Sequence, residues 1–361
     1  MSLGRRLIVA SLVIGVNGCA LVGDAIPPDI ARHPPLKKAF EKRFPIGAAV
    51  EPRQLGTRAG SLLAWHFNSV TAENAMKPAN LQPLEGRFEF TGADAVVDFA
   101  SRRGMRVRGH TLLWHEETPE WFWRGADGRP ASREVVLARL RAHIVAVMSR
   151  YRGRVYAWDV VNEAVHPLGP GCLRDTRWLR VVGPDYIEHA FRFAHEADPG
   201  ARLFLNDFET TEPAKRRCLL ELVRDLRARG VPIHGVGHQL HIDLERPTVG
   251  DVDETLGLFA ALGVENQVTE LDMSVAASAL PPAERLESQA TRYAALFEVF
   301  ARRPDVTAVS FWGISDAHTW LNAKRTPGNL DQPLLFDAQQ APKSAYFAIT
   351  REKRVPINPN N

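Results

Sequence analysis

Residues 154–165 read Arg-Val-Tyr-Ala-Trp-Asp-Val-Val-Asn-Glu-Ala-Val, "RVYAWDVVNEAV". The segment is short, rich in β-branched and aromatic residues, and bounded by polar ones, as a core strand should be. It ends on an amide, Asn162, and an acid, Glu163. A strand covered on both faces loses stability through a polar end unless that end is used. Successive strand residues point to opposite faces, so Asn162 and Glu163 can serve one ligand only if the strand ends or bulges there.

The same kind of run recurs along the chain. Strand signals cover residues 45–50, 67–71, 105–113, 155–161, 202–205, 235–242, 266–271 and 307–312. Helical patterns lie between them. Leu286, Ala290, Tyr293, Phe297 and Phe300 form one apolar stripe at spacings of three and four. Pro184-Asp185 opens another helix, with Ile187, Ala190, Phe191 and Ala194 facing inward, and Pro199-Gly200 closes it. The stretch 215–229 repeats the scheme and stops at Gly230. Eight strands alternating with helices predict an α/β protein, a single (β/α)8 TIM barrel over residues 36–352. A doubly wound open sheet is the structural alternative, but no glycine-rich phosphate turn follows the first strand. Residues 25–35, with four prolines, predict a linker, and residues 353–361 a polar tail.

The chain has 361 residues, 45% of them hydrophobic and 24% charged, which is ordinary globular composition. Its net charge is +3, and without Arg5 and Arg6 the 43 remaining basic residues face 42 acidic ones. No basic run is dense enough to suggest nucleic acid, and a near-neutral surface suits a small neutral or mildly acidic partner. Residues 1–24 predict an export signal: two arginines, an apolar stretch from Leu7 to Val16, then small residues. A ten-residue stretch is too short to span a bilayer. Arg5-Arg6 is similar to a twin-arginine signal, and Val16-Asn17-Gly18-Cys19 to a lipoprotein cleavage site that would leave Cys19 lipid-anchored. A plain secretory signal is the third option, and in each case the protein is exported. Cys172 and Cys218 match no zinc motif, so two thiols are the default expectation, although export permits a disulfide between them.

Barrel enzymes place their chemistry where strands run into the βα loops. Glu73-Asn74 lie just past the second run, His110 is in the third, and Asn162-Glu163 end the fourth. Asn206-Asp207 follow the fifth, Gln239 and His241 close the sixth, and Glu270 ends the seventh. One such polar end is a rim residue meeting water; six at the same end make a polar cleft. Glu163 and Glu270, three strands apart around the ring, form the carboxylate pair that glycoside hydrolysis requires. Trp114, Trp312 and Trp320 stand at or past strand ends, where an indole can stack on a sugar face. His110 and His115 are five apart and no helical His-Glu-x-x-His pattern is present, so metal catalysis is not expected. A Ser-His-Asp triad lacks its Gly-x-Ser-x-Gly elbow.

At these residues the sequence resembles the glycoside hydrolase family 10 endo-β-1,4-xylanases, retaining enzymes on a (β/α)8 barrel. The likeness runs from Leu36 to Thr350. It is carried by "HFNSVTAENAMKP" (66–78), "GHTLLWH" (109–115), "WDVVNEAV" (158–165), "NDFE" (206–209), "GVGHQLHI" (235–242), "VTELDM" (268–273), "SFWGISDAHTWL" (310–321) and "PLLFDAQQAPKSAYFAI" (333–349). The resemblance implies Glu163 as acid/base and Glu270 as nucleophile. It implies that Glu73, Asn74 and Lys77 hold glycone hydroxyls, and that His110 and Trp114 line the cleavage subsite. Asn162 would sit beside the sugar 2-hydroxyl and Gln239 near the catalytic pair, while His241 would bond the nucleophile. Asn206 joins the substrate-binding set, and Trp312 and Trp320 match the platforms over the glycone sugars. Three departures bear on the subsites rather than the reaction. Glu116-Glu117 replace the usual neutral residues after "LWH", Phe208 the usual tyrosine, and Glu209 the usual asparagine.

What the resemblance implies is double displacement on xylan and xylo-oligosaccharides by a monomer needing no cofactor or metal. Retention calls for carboxyls roughly 5–5.5 Å apart. At that range one negative charge discourages the second, so one acid is expected protonated while Glu270 is ionised with help from Lys77 and His241. A β-1,4-glucanase on the same barrel is the enzymatic alternative. A non-catalytic barrel is the other, and it would typically have lost one of the two acids.

Overall fold

A computed structural model describes residues 25–125, 127–323, 325 and 330–351. Eight parallel strands close into a barrel ringed by helices. They are β1 (Ile46–Val50), β2 (Ser69–Ala72), β3 (Arg106–Trp114), β4 (Ala157–Asn162), β5 (Arg202–Asp207), β6 (Gly235–His238), β8 (Glu265–Ser274) and β9 (Val306–Phe311). A short extra strand, β7 (His241–Asp243), sits between β6 and β8 in sequence. The ring closes through β1 on β9 and through β6 directly on β8.

The strands are buried on both faces: β1, β2, β4 and β6 contain no exposed residue. Helices cover the outside with the stripes expected of them. In the helix Pro282–Arg302, Tyr293, Phe297 and Phe300 are buried, and the Phe297 ring stacks on Phe311 of β9 at 5.9 Å. Burying a phenylalanine of this kind contributes about 1.5–3 kcal/mol. The helix Tyr186–Ala197 buries Ile187, Ala190, Phe191 and Ala194. Pro213 stands at the first position of the helix Pro213–Ala228, where its missing N–H would have had no partner.

Small residues decide what the barrel interior can hold. A Cβ on Gly109 would lie 2.1 Å from the Trp158 ring, so glycine there lets a tryptophan of β4 pack across β3. A Cβ on Gly237 would lie 2.2 Å from Asn206 Oδ1. That glycine makes room for an amide of the functional site.

Two expectations are corrected. The sixth run, read as one strand over 235–242, breaks at Gln239-Leu240, where Leu240 takes a left-handed φ of 54°. Beyond the break β7 leaves the barrel wall and pairs with the far end of β8, His241 opposite Asp272. No glycine or proline marks the turn. Residues 25–35, read as linker, pack on the barrel: Pro28–Ala31 form a helical turn whose Ile30 is buried, and His33 O accepts from Trp65 Nε1 at 2.8 Å. Two isoleucines beside the prolines, buried Ile30 and partly buried Ile26, supply the anchor. The predicted export signal over 1–24, with Cys19, and the tail over 353–361 lie outside the described residues.

Candidate active site

The strand ends of β2 to β6, β8 and β9 converge on one rim. β4 ends at Asn162, and Glu163 takes a left-handed φ of 57°. A bulky residue in that region is uncommon and holds about 1–3 kcal/mol of strain. The turn breaks the alternation of faces, so neighbouring amide and carboxylate both point into the cleft. A shift in register between β4 and β5, from Asp159 to Val161, accompanies it.

Glu163 is gripped from several sides. Its Oε2 accepts from Trp114 Nε1 at 3.1 Å, and its Oε1 from Gln239 Nε2 at 3.1 Å and Asn162 Nδ2 at 3.4 Å. Its backbone is held as firmly: the N–H donates to Asn206 O at 2.8 Å and the carbonyl accepts from Arg174 Nε at 2.9 Å. The next turn is tied down where Val165 N–H donates to Asp207 Oδ2 at 3.1 Å. Asp207 is fully buried beside Lys215 (2.6 Å); burial pushes its carboxyl up to about 6 against the pull of that cation.

Glu270, on β8, is buried 4% exposed. Asn206 Nδ2 donates to its Oε1 at 2.7 Å, and His241 Nε2 to its Oε2 at 3.1 Å. His110 Nδ1 lies 4.0 Å from Oε1. Burial opposes ionisation of Glu270, but the His241 hydrogen bond and the charges of His110 and His241 prevail and hold its carboxyl below the usual range. His241 lies between two carboxylates, with Asp272 Oδ2 3.0 Å from its Nδ1. Burial works against the imidazolium, yet Asp272 and Glu270 together push it up to about 10. Asn206 also donates to Asn162 Oδ1 at 2.9 Å, so two amides connect the two acids.

Beneath this layer is a charged group that periodicity did not single out. Arg108 of β3 makes a two-pronged ion pair with Asp159 of β4, Nη2 to Oδ1 at 2.6 Å, and its Nε donates to Gln267 at 2.9 Å. Asp159 Oδ2 in turn holds His110 Nδ1 at 2.9 Å. Burial raises Asp159's affinity for a proton, but Arg108 and His110 outweigh it and keep the carboxyl low. Asp272 and Asp207 were also missed as supports. The signal available was a charge inside a strand that should be wholly apolar.

The expected sugar-binding residues line the rim. Lys77 Nζ donates to Asn74 Oδ1 at 2.7 Å and lies 4.9 Å from the Trp114 ring centroid, and Asn74 Nδ2 bonds Glu51. Burial and the Glu51 charge push Glu73 up to about 7, against Lys77 and Arg53. Trp312 meets the His110 ring edge-on at 5.2 Å. Trp320, 45% exposed, donates Nε1 to Asp272 Oδ2 at 2.8 Å and abuts His241 at 5.1 Å.

Three site expectations are corrected. Lys77, expected to keep Glu270 charged, acts on Glu73 instead, because Asn74 and Trp114 hold its ammonium. Asn206, expected at the substrate, is fully buried below the acids and positions them. Cys172 and Cys218, expected as thiols, are bonded, with Cα atoms 5.6 Å apart. The bond ties the loop after β4 to the helix Pro213–Ala228.

The family model of Glycosyl hydrolase family 10 matches residues 35–352. The chain is 44% identical over 324 residues to endo-1,4-beta-xylanase B of Paenibacillus barcinonensis, covering 88% of this chain and 97% of that one. It is 43% identical over 345 residues to a thermostable celloxylanase of Thermoclostridium stercorarium, covering 89% and 88%. Among solved structures, xylanase B from Clostridium stercorarium F9 superposes with a TM-score of 0.85 at 43% identity, covering 88% of this chain and 99% of that one. Xylanase XynB from P. barcinonensis, complexed with a conduramine derivative, gives 0.84 at 43% identity, covering 89% and 99%.

Proposed function

The chain belongs to glycosyl hydrolase family 10, and from that membership we infer an endo-acting xylanase that cleaves internal β-1,4-xylosidic bonds with retention. Glu270 attacks the anomeric carbon while Glu163 delivers a proton to the leaving oxygen. Water, deprotonated by Glu163, then releases the glycosyl-enzyme. The observation that carries these roles is the unlike setting of the two acids. Glu270 is buried against an imidazolium and an amide donor, which favours a charged nucleophile. Glu163 is half-buried on the rim, where a leaving group can reach it. Asn206 and Asn162 fix their relative position.

The sugar sits over Trp312 and Trp320, with Glu73, Asn74 and Lys77 at its hydroxyls and His110, Trp114 and Gln239 around the scissile bond. Xylan and xylo-oligosaccharides are the substrates, and the chain works as a monomer. A relative named celloxylanase keeps β-1,4-glucan as the second substrate to test. The deciding experiment follows hydrolysis of linear xylan and of carboxymethyl cellulose, with NMR of the first anomer formed. Xylan cleaved faster, with the β-anomer first, supports this function; the α-anomer first overturns it.

Export is proposed alongside. The Cys172–Cys218 disulfide favours an oxidising compartment, and no helix among the described residues is long and apolar enough to cross a membrane. Fractionation of the native cells, with metabolic labelling by a lipid precursor, separates a free protein from one anchored at Cys19.

A further inference from the structure

β3 and β4 pair with Trp114 opposite Asn162 at their ends. The next residue on each strand is therefore brought alongside the other: His115 and Glu163. Glu116 follows His115, and the ligand atoms of His115, Glu116 and Glu163 all lie within 4.8 Å of one another. His115 Nε2 is 3.9 Å from Glu116 Oε1. An imidazole and two carboxylates on adjacent strand ends form a donor set of the kind that suits zinc and its neighbours better than calcium or magnesium.

We propose that His115, Glu116 and Glu163 form a binding site for a zinc-like divalent cation that inhibits the enzyme by occupying Glu163. Zinc bonds nitrogen and oxygen at about 2.0–2.2 Å, so donors around it must close to roughly 3.3 Å. One of the three is already fixed: four hydrogen bonds to the Glu163 side chain and backbone carbonyl hold it. The register of β3 on β4 brings His115 beside it, and rotation of the imidazole about its side-chain bonds closes the remaining distance. The third, Glu116, has a side chain 64% exposed and can swing inward to complete the set. Each Glu163 oxygen has two lone pairs; Gln239 and Asn162 take both on Oε1, while Trp114 takes one on Oε2 and leaves the other free for the cation. The fourth zinc position faces the cleft and takes water.

The cation does not assist the reaction. It holds the carboxylate that must carry the proton, at the place where the leaving oxygen arrives. Sequence spacing gave no hint of this, because Glu163 comes from a neighbouring strand. The inhibition rests on Glu163 being the acid/base residue; the binding does not.

Zinc chloride titrated calorimetrically into the intact protein tests the binding, and xylan hydrolysis over the same zinc range tests the effect. One zinc per chain is expected, with an inhibition constant matching the dissociation constant. Glu116→Gln should weaken both constants by about 10–100-fold, at least what loss of an outer partner does, with inhibition read against that variant's own zinc-free rate. His115→Asn should weaken binding likewise, and Glu117→Gln should change neither constant. Zinc binding that survives both Glu116→Gln and Glu163→Ala overturns the site and leaves the hydrolase function untouched. Zinc binding that depends on Glu116 and Glu163, but without inhibition, overturns the inhibitory role and the assignment of Glu163 as proton donor with it.

Discussion

His241 stands between Glu270 and Asp272, its two ring nitrogens 3.1 and 3.0 Å from their carboxylates. One imidazolium thereby serves the nucleophile and is itself kept charged by a second acid that touches no reacting atom. Because the protonated ring is stabilised only in the folded chain, this arrangement makes stability depend on pH. The folded value of about 10 lies above the ordinary 6.5. The contribution is therefore complete below about pH 6.5 and is lost as pH rises through 10. It is on the order of a few kcal/mol at most. Glu270 has the opposite sign: its depressed carboxyl contributes above the ordinary carboxylate range and loses that contribution as pH falls. In Asp272→Asn the melting temperature should be lower at pH 6 and should fall less between pH 7 and 10 than in the parent. Parallel curves would show that His241 is not charged by Asp272.

Glu163→Ala should lower xylan hydrolysis about 10²–10⁴-fold, the usual contribution of a positioned acid or base. It should largely spare glycosyl-enzyme formation from an aryl xylobioside with a good leaving group, which needs no proton. Azide, which needs no base, should restore turnover and give the β-glycosyl azide. An α-azide, or no rescue, assigns the acid/base role elsewhere.

Glu270→Gln should reduce both steps to background, since an amide cannot form the ester intermediate. With the wild-type protein, a 2-fluoro xylobioside should leave its label on Glu270 in peptide mass spectra. Label on another carboxylate refutes the nucleophile assignment.

Arg108→Met removes one member of a buried ion pair and leaves Asp159 charged without its partner. Breaking such a pair costs about 3–5 kcal/mol. Urea unfolding should show that loss, whereas Arg108→Met combined with Asp159→Leu should recover most of it. The double variant should still hydrolyse poorly, because His110 has lost the carboxylate that orients it. Full activity in the double variant would mean that the pair serves stability alone.

The two central acids were legible in the sequence because they interrupt strands that should be apolar to the end. Glu163 and Glu270 stand out against "DVV" and "VT" before them. Arg108 and Asp159 stand inside strands and carry the same signal. Yet a pattern of faces does not say that two charges on neighbouring strands meet, which depends on register. Asn206 read as a ligand because it ends a strand, and its burial follows from the space left by Gly237 on the next one. The bend at Leu240 had no glycine or proline to announce it. The cysteines, 46 residues apart, pair because a loop and a helix happen to meet, which spacing alone does not reveal.

Asp272 Oδ2 receives the Trp320 indole N–H as well as facing His241. The surface that greets the sugar and the charge that readies the nucleophile thus share a single anchor. A displacement of that indole would reach Glu270 through one oxygen and the His241 ring. Trp320→Phe keeps the ring but withdraws the N–H, so the harm should extend beyond weaker stacking. It should move the pH dependence of kcat, which loss of a mere platform would leave where it was.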